Sequence, residues 1–72
     1  MSVSLAERAY GEIRRMIIQL ELAPGDVVRE ADLQATLEMS RTPIREALQR
    51  LARDHLVSVI LRRGMFVSSI EI

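Results

Sequence analysis

The side chains of this sequence that are best suited to bind a ligand are arginines, and six of the ten lie between residues 41 and 63. Over residues 40–54 the apolar positions recur with a period of about 3.6 residues, which predicts an amphipathic helix. Its apolar face consists of Ile44, Ala47, Leu48 and Leu51. Its opposite face consists of Thr42, Arg45, Glu46, Gln49, Arg50 and Arg53, with Arg41 at the start. One face is therefore predicted to be buried and the other to lie against a negatively charged partner.

Residues that favour helix N-termini mark the start of this predicted helix. Ser40 and Thr42 supply hydroxyl groups that can accept hydrogen bonds from free backbone N–H groups, and Pro43 presets a helical φ angle. The helix is therefore predicted to begin at these residues.

The distribution of charge is more informative than its sum, which is zero. Residues 1–40 are net acidic, whereas residues 41–63 hold six arginines against only Glu46 and Asp54. All ten basic residues are arginine, whose planar guanidinium suits bidentate contacts with phosphates and guanine edges. The neutral net charge is therefore weak evidence against a nucleic-acid partner.

Length and composition limit the class of protein. A chain of 72 residues makes one small domain, and with no cysteine it has neither a disulfide framework nor a thiolate metal site. The sequence contains no apolar run of about 18 residues and no secretory signal at its N-terminus. We therefore expect a cytoplasmic protein without a metal or cofactor.

Two further helices are predicted before the arginine-bearing one. Ser4 and Glu7 fit a capping box, and helical periodicity continues from there to about Leu20. Residues 22–26 contain a Pro-Gly turn, and Val27-Val28 could form a very short strand. Tyr10 is expected to flank the core, half-buried.

The second helix is predicted over residues 30–37, with the carboxylates of Glu30 and Asp32 in its first turn, where they suit the helix dipole. Only residues 38–40 separate it from the arginine-bearing helix. Two helices joined by so short a connection, the second one basic on its outer face, indicate a helix-turn-helix over about residues 30–54.

After Asp54 the apolar pattern changes from helical spacing to near alternation. Residues 56–61 and 65–69 are rich in β-branched and aromatic side chains, and they flank the short turn Arg62-Arg63-Gly64. The predicted fold is therefore mainly α with a small β-hairpin, a winged helix-turn-helix with three helices and a two-stranded wing at about residues 56–69. Residues 1–72 form one domain, and residues 70–72 look like the start of a linker.

Four landmarks of the sequence occur in one order and at characteristic spacing. They are Leu22-Ala-Pro-Gly25, Ser40-Arg-Thr-Pro-Ile-Arg-Glu-Ala-Leu48, Leu56-Val57 and Arg62-Arg63-Gly64-Met-Phe-Val67. Together they resemble the DNA-binding domain of GntR-family bacterial transcription regulators, and the resemblance extends from about Ala9 to Val67. The Arg-Thr-Pro-Ile-Arg-Glu-Ala-Leu form is similar to the FadR-like branch, whose C-terminal half is an all-helical ligand-binding and dimerising domain.

The resemblance implies a set of DNA-binding residues. They are Ser40, Arg41, Thr42, Arg45, Gln49, Arg62, Arg63 and Gly64. The two helix arginines would contact base edges, most often guanine, in the major groove, while the two hydroxyl residues would bind phosphate at the helix N-terminus. Gln49 would reach a base or a phosphate. The two wing arginines and the glycine would approach the minor groove.

The resemblance also implies a function. We expect the sequence-specific DNA-binding domain of an effector-responsive transcriptional repressor, which binds double-stranded DNA at a pseudo-palindromic operator as a homodimer. The small-molecule effector would act only through a C-terminal domain that would follow residue 72 and is absent from this chain.

The sequence departs from the family pattern at four positions. Ala31 stands where many relatives have a DNA-contacting arginine, so that contact should be missing. Glu38, His55 and Glu21 stand where glycine is usual, which places loop geometry and sequence preference in question more than the fold.

Other interpretations remain open for single residues. Glu46 and Arg50 are spaced for an ion pair on one helix, and we favour that pair over a DNA contact by Arg50. His55 is expected to act at a helix end and not as a metal ligand or catalytic base, because the sequence has no second histidine and no cysteine.

Other functions are also possible for the whole domain. An enzyme is disfavoured because no phosphate loop, metal cluster or nucleophile with an orienting base is evident. The main alternative is a winged-helix module that binds another protein. Double-stranded RNA is a weaker alternative, because the A-form major groove is too narrow for a recognition helix.

Overall fold

The computed structural model describes residues 4–69 and shows three helices and three short strands. The elements in chain order are α1 (Leu5–Ile18), β1 (Val27–Val28), α2 (Glu30–Leu37), α3 (Arg41–Arg53), β2 (Val57–Ile60) and β3 (Gly64–Val67). The predicted winged helix-turn-helix is confirmed, and α2 and α3 lie where the sequence predicts them. The linker predicted at residues 70–72 lies outside the described residues.

The sheet contains one more strand than the predicted two-stranded wing. Its strands lie in the order β1-β3-β2, and both pairs are antiparallel. Strand β1 pairs with β3 through Val27 opposite Phe66 and Val28 opposite Met65. The turn before β1 holds this pairing, because the N–H of Gly25 donates to the carbonyl of Val67 over 2.9 Å. The wing is therefore anchored to the body of the domain by β1.

The core forms around the apolar face of α3. Four of its members, Ile44, Ala47, Leu48 and Leu51, are at most 1% exposed, as the sequence predicts. The other buried apolar residues are Ala9, Ile13 and Ile17 of α1, Val28 of β1, Leu33 of α2, Val57 of β2 and Val67 of β3. Every element contributes to this cluster, and α1, α2 and β2 pack directly against α3. Its outer face is free for another role.

All three helices are followed by a non-glycine residue with positive φ. Leu20 has a φ of 64°, Glu38 of 53° and His55 of 66°. At two of the three positions where the family usually has glycine, Glu38 and His55, the backbone therefore keeps the left-handed conformation that glycine adopts most easily. At the third, the preceding Leu20 has this conformation instead of Glu21, and α1 ends at Ile18, slightly earlier than predicted. The loop geometry is therefore kept although the glycines are missing, and the consequence is backbone strain.

Candidate nucleic-acid interface

The predicted DNA-binding residues share one property, since all of them are exposed. They are Ser40, Arg41, Thr42, Arg45, Gln49, Arg62, Arg63 and Gly64. Five belong to α3 or its N-cap and three to the turn between β2 and β3 or the start of β3. The helix face that carries the arginines is opposite the buried face, so the charged side chains are presented outward by a rigid element.

The N-terminus of α3 is open to a ligand. Ser40 is the N-cap residue in an extended conformation, as predicted, but its hydroxyl makes no capping hydrogen bond. Pro43 is buried in the first turn, while Arg41 and Thr42 beside it are exposed. The first turn of a helix has free N–H groups and a partial positive charge, which together favour an anion such as phosphate.

The tip of the wing consists of residues 61–63. The turn is closed by a hydrogen bond of 3.0 Å from the N–H of Arg63 to the carbonyl of Ile60. Gly64 has a φ of 110° and belongs to β3, where it pairs with Ile60. Arg62 also has a positive φ, of 66°. The backbone thus reverses tightly and leaves both arginine side chains at the end of the hairpin.

A surface depression of about 480 Å³ lies between α3 and the wing. It is lined by Val28, Glu30, Arg45, Leu48, Gln49, Val59, Gly64 and Met65. Three of the predicted residues, Arg45, Gln49 and Gly64, therefore come together here. The other five do not line this depression, because they lie at the start of α3 or at the wing tip.

The depression contains an ion pair that sequence patterns do not predict. The Nε atom of Arg45 donates to Oε1 of Glu30 over 3.2 Å, joining α3 to the first turn of α2. The side chains of Arg45 and Glu30 are 50% and 32% exposed. The residues are 15 positions apart and on different helices, so only the packing of the helix-turn-helix brings them together.

The predicted ion pair between Glu46 and Arg50 is wrong. Within residues 4–69, Arg50 has no carboxylate at ion-pair distance, and its guanidinium instead lies over the ring of Tyr10. The Tyr10 hydroxyl donates a hydrogen bond to Asp54, and this bond is the main reason why the pKa of Tyr10 is raised. Tyr10 is half-buried, as predicted. Arg50 therefore belongs to the contact between α1 and α3.

The arginines of the domain differ in how far they are neutralised. Arg15 pairs with Glu21 at 2.7 Å and with Glu12 at 3.3 Å, and these contacts raise the pKa of Arg15. The paired side chains are 44–51% exposed, so this side of α1 is a solvated face. In contrast, no carboxylate among residues 4–69 pairs with Arg41 or with the wing arginines. Unpaired positive charge is therefore present at the start of α3 and at the wing tip, although Arg8, Arg14, Arg29 and Arg53 also lack a carboxylate partner among residues 4–69.

Metal-binding clusters and buried polar groups are missing from the described part of the chain. Residues 4–69 contain no group of three or more histidine, cysteine or acidic residues that could hold a metal ion. They contain no buried polar or charged side chain either. No helix among these residues has the length and apolar character needed to cross a membrane.

The fold and the exposed basic face define a winged helix-turn-helix domain. A family profile described as "Bacterial regulatory proteins, gntR family" matches residues 5–67, which is most of the chain. The chain belongs to this family.

Individual relatives agree with this membership. The chain is 45% identical over 62 residues to an uncharacterized HTH-type transcriptional regulator in an unstable DNA locus of Streptomyces ambofaciens, covering 86% of this chain and 26% of that protein. A putative transcriptional regulator GntR from Rhodococcus sp. RHA1 has a similar structure, with a TM-score of 0.87, 39% identity, and coverage of 96% of this chain and 33% of that one. The chain thus spans about a quarter to a third of these relatives.

A third similar structure contains DNA. It is the complex of AraR(DBD) with operator ORR3, with a TM-score of 0.81 and 25% identity, and the alignment covers 94% of this chain and 83% of that one.

Proposed function

We propose that this domain recognises a specific operator by placing α3 in the major groove of double-stranded DNA. The observation that carries the proposal is the outer face of α3, where Arg41 and Arg45 are exposed on a helix whose opposite face is buried in the core. A rigid helix with a basic outer face is the element that helix-turn-helix proteins use to contact base edges. The operator complex of AraR(DBD), which has a similar fold, supports this use of the surface.

The proposed contacts follow from the position of each side chain. Arg41 and Arg45 would read base edges, because a guanidinium can donate two parallel hydrogen bonds to guanine. Ser40 and Thr42 would bind phosphate at the free helix N-terminus. Gln49, one turn further along the face from Arg45, would contact a base or a phosphate.

The wing would supply the second part of the interface. Arg62 and Arg63 would enter the adjacent minor groove, whose negative potential attracts arginine. The positive φ of Gly64 allows the tight reversal that brings the wing tip close to the DNA backbone.

The proposal includes a homodimer on a pseudo-palindromic operator. One recognition helix contacts only a few base pairs, and helix-turn-helix proteins commonly gain length of recognition by binding two half-sites about one helical turn apart. Dimerisation and the response to a small-molecule effector would depend on a further domain, as in the FadR-like branch that the sequence resembles.

The proposed direction of control is repression, acting in the cytoplasm where bacterial DNA is found. Repression requires only that the domain occupy its operator, whereas activation requires an additional surface that contacts the transcription machinery.

The test is selection of random duplex DNA by the purified domain at two salt concentrations. We expect enrichment of a short motif that contains guanine and an affinity that falls steeply as salt rises, because phosphate contacts release counterions. The variant Arg45→Ala should lose about 1–3 kcal/mol and relax the preference at one base pair. Arg8→Ala, which removes an exposed arginine from α1, is the control for net charge. Equal loss of affinity for all sequences in Arg45→Ala would contradict base reading.

A protein-binding module is the second candidate, favoured by the apolar side chains exposed on the wing. Val59 is 65% exposed and Leu61 is 85% exposed. Apolar contacts with a protein partner would be insensitive to salt, so the two salt concentrations distinguish this function from DNA binding.

A further inference from the structure

The ion pair between Glu30 and Arg45 has a geometry that leaves part of the guanidinium free. The carboxylate of Glu30 accepts a hydrogen bond from Nε of Arg45 over 3.2 Å. Within residues 4–69 the two terminal nitrogens of Arg45 have no hydrogen-bond partner. These terminal nitrogens form the edge that makes two parallel hydrogen bonds to O6 and N7 of guanine. The carboxylate therefore holds one edge of the guanidinium while the base-reading edge remains available.

We propose that Glu30 is a positioning residue that sets the base specificity of this domain by orienting Arg45, an inference that rests on the proposed DNA binding. An arginine side chain on a helix surface has many rotamers, and ordering it on binding costs conformational entropy. A partner on the neighbouring helix restricts these rotamers before DNA arrives. A correct base then forms two aligned hydrogen bonds with Arg45. At an incorrect base, the restricted Arg45 side chain cannot move freely to a substitute acceptor.

The charge of Glu30 has a second effect, which is common to all sequences. A carboxylate that faces the same depression as α3 and the wing repels DNA phosphates, so it weakens binding to every duplex. This repulsion cancels when two base pairs are compared, so a change in discrimination reports the positioning of Arg45. Glu30 is therefore expected to lower non-specific affinity while it raises discrimination.

Glu30 is the acidic residue of this region suited to such a role. It begins α2, where the partial positive charge of the helix N-terminus favours a carboxylate. Asp32 lies in the same turn, but it is exposed and within residues 4–69 it pairs with no arginine. Glu46 is adjacent to Arg45 in sequence, yet the guanidinium pairs with α2 instead. Asp32 thus provides a matched control of equal charge on the same helical turn.

The experiment compares Glu30→Ala, Glu30→Gln and Asp32→Asn with the wild-type domain of 72 residues. Affinity is measured for the duplex that the wild type selects, for its single-base-pair variants and for an unrelated duplex, each at two salt concentrations. Thermal unfolding of each variant is recorded alongside, and Glu30→Gln provides a nearly isosteric variant where Glu30→Ala unfolds. Each Glu30 substitution is also combined with Arg45→Ala.

Glu30→Ala should lose roughly tenfold in discrimination, within the ~5- to 150-fold that one bidentate contact provides, at the base pair that Arg45→Ala affects. Glu30→Gln should lose less, because its amide oxygen can still accept from Nε. All three single variants should bind the unrelated duplex more tightly, but Asp32→Asn should keep full discrimination. In the Arg45→Ala background, Glu30→Ala should change discrimination no further.

A loss of discrimination together with a rise in non-specific affinity separates positioning from a merely structural role. A structural role would lower both affinities together with the unfolding temperature, and that result would overturn the inference. Full discrimination in Glu30→Ala would overturn it as well. If the wild type shows no salt-dependent DNA binding, the proposed function fails first, and the inference falls with it.

Discussion

The guanidinium carbon of Arg50 lies 4.2 Å from the centre of the Tyr10 ring, which joins α3 to α1. The Tyr10 hydroxyl donates to Oδ2 of Asp54, the C-cap residue of α3. The two interactions connect the second half of α3 to the first helix, so this half has a structural role. The first half of the helix carries most of the proposed recognition residues, and Gln49 is the one in the second half.

Removal of the Arg50 side chain should therefore affect stability. A cation over an aromatic ring at an exposed site contributes about 0.5–1 kcal/mol, and we expect Arg50→Ala to lower the free energy of unfolding by this amount. Urea unfolding measures the change. The control is Glu46→Ala, which should stay within about 0.5 kcal/mol of wild type because Glu46 has no ion pair with Arg50 to lose. A larger loss in Glu46→Ala than in Arg50→Ala would restore the ion pair that the sequence predicted.

The raised pKa of Tyr10 predicts a loss of stability at high pH. The hydrogen bond to Asp54 favours the neutral phenol in the folded state, so the pKa of Tyr10 lies above its ordinary value of 10.0. This contribution is complete below the unfolded-state pKa, and it is lost as pH rises through the folded-state pKa, because the unfolded state releases the proton first. Tyr10 is the single tyrosine, so its ultraviolet absorbance reports the titration directly.

The control for this titration is Tyr10→Phe. It should reduce the fall in stability that begins near pH 10.0, because it removes the phenol that titrates. An unchanged pH dependence in Tyr10→Phe would show that the hydrogen bond is not formed in solution.

The wing arginines allow a test that distinguishes general electrostatic attraction to DNA from base reading. Arg63 is exposed at the wing tip with no carboxylate partner among residues 4–69. Arg63→Ala should weaken binding and reduce the slope of log affinity against log salt by about 1, because one positive charge close to the phosphates of the minor groove is lost. The matched control is Arg53→Ala, which removes the same charge from the far end of α3. An unchanged slope in Arg63→Ala would place the wing away from the DNA.

Local patterns in the sequence were sufficient for the helices and the hairpin. The apolar period of α3 and the residues that start it have few alternatives, because one face must be buried and the helix must begin with a cap. The β1–β3 pairing was harder to predict, since two valines carry little pattern and their partner strand is almost 40 residues away.

The interactions of individual arginines could not be predicted in the same way. The rule that paired Glu46 with Arg50 considers one helix alone, whereas Tyr10 approaches Arg50 from another helix through tertiary packing. The Glu30–Arg45 pair depends in the same way on how α2 crosses α3. The exposed site residues were accessible to sequence reasoning because their positions follow from the faces of α3 and the tip of the hairpin.

The turn of the helix-turn-helix offers a last prediction, because Glu38 is held in the left-handed conformation with φ 53° and ψ 47°. A non-glycine residue in this conformation costs about 1–2 kcal/mol. Glycine avoids that cost, but part of the gain is lost because the more flexible unfolded chain must be ordered on folding. Glu38→Gly should therefore stabilise the domain by about 0.5–1 kcal/mol in urea unfolding. Gly25→Ala, where φ is 89°, should have the opposite effect.

Glu38 also places a negative charge at the turn immediately before the free N-terminus of α3, so its substitution can alter DNA binding as well as stability. Glu38→Gln separates the two effects, because it removes the charge and keeps a side chain in the left-handed conformation. We expect Glu38→Gln to leave the free energy of unfolding near that of wild type and to raise DNA affinity most at low salt, where screening is weakest. If Glu38→Gln stabilised the domain as much as Glu38→Gly, electrostatic repulsion by the Glu38 carboxylate, and not backbone strain, would be what destabilises the folded domain at this turn.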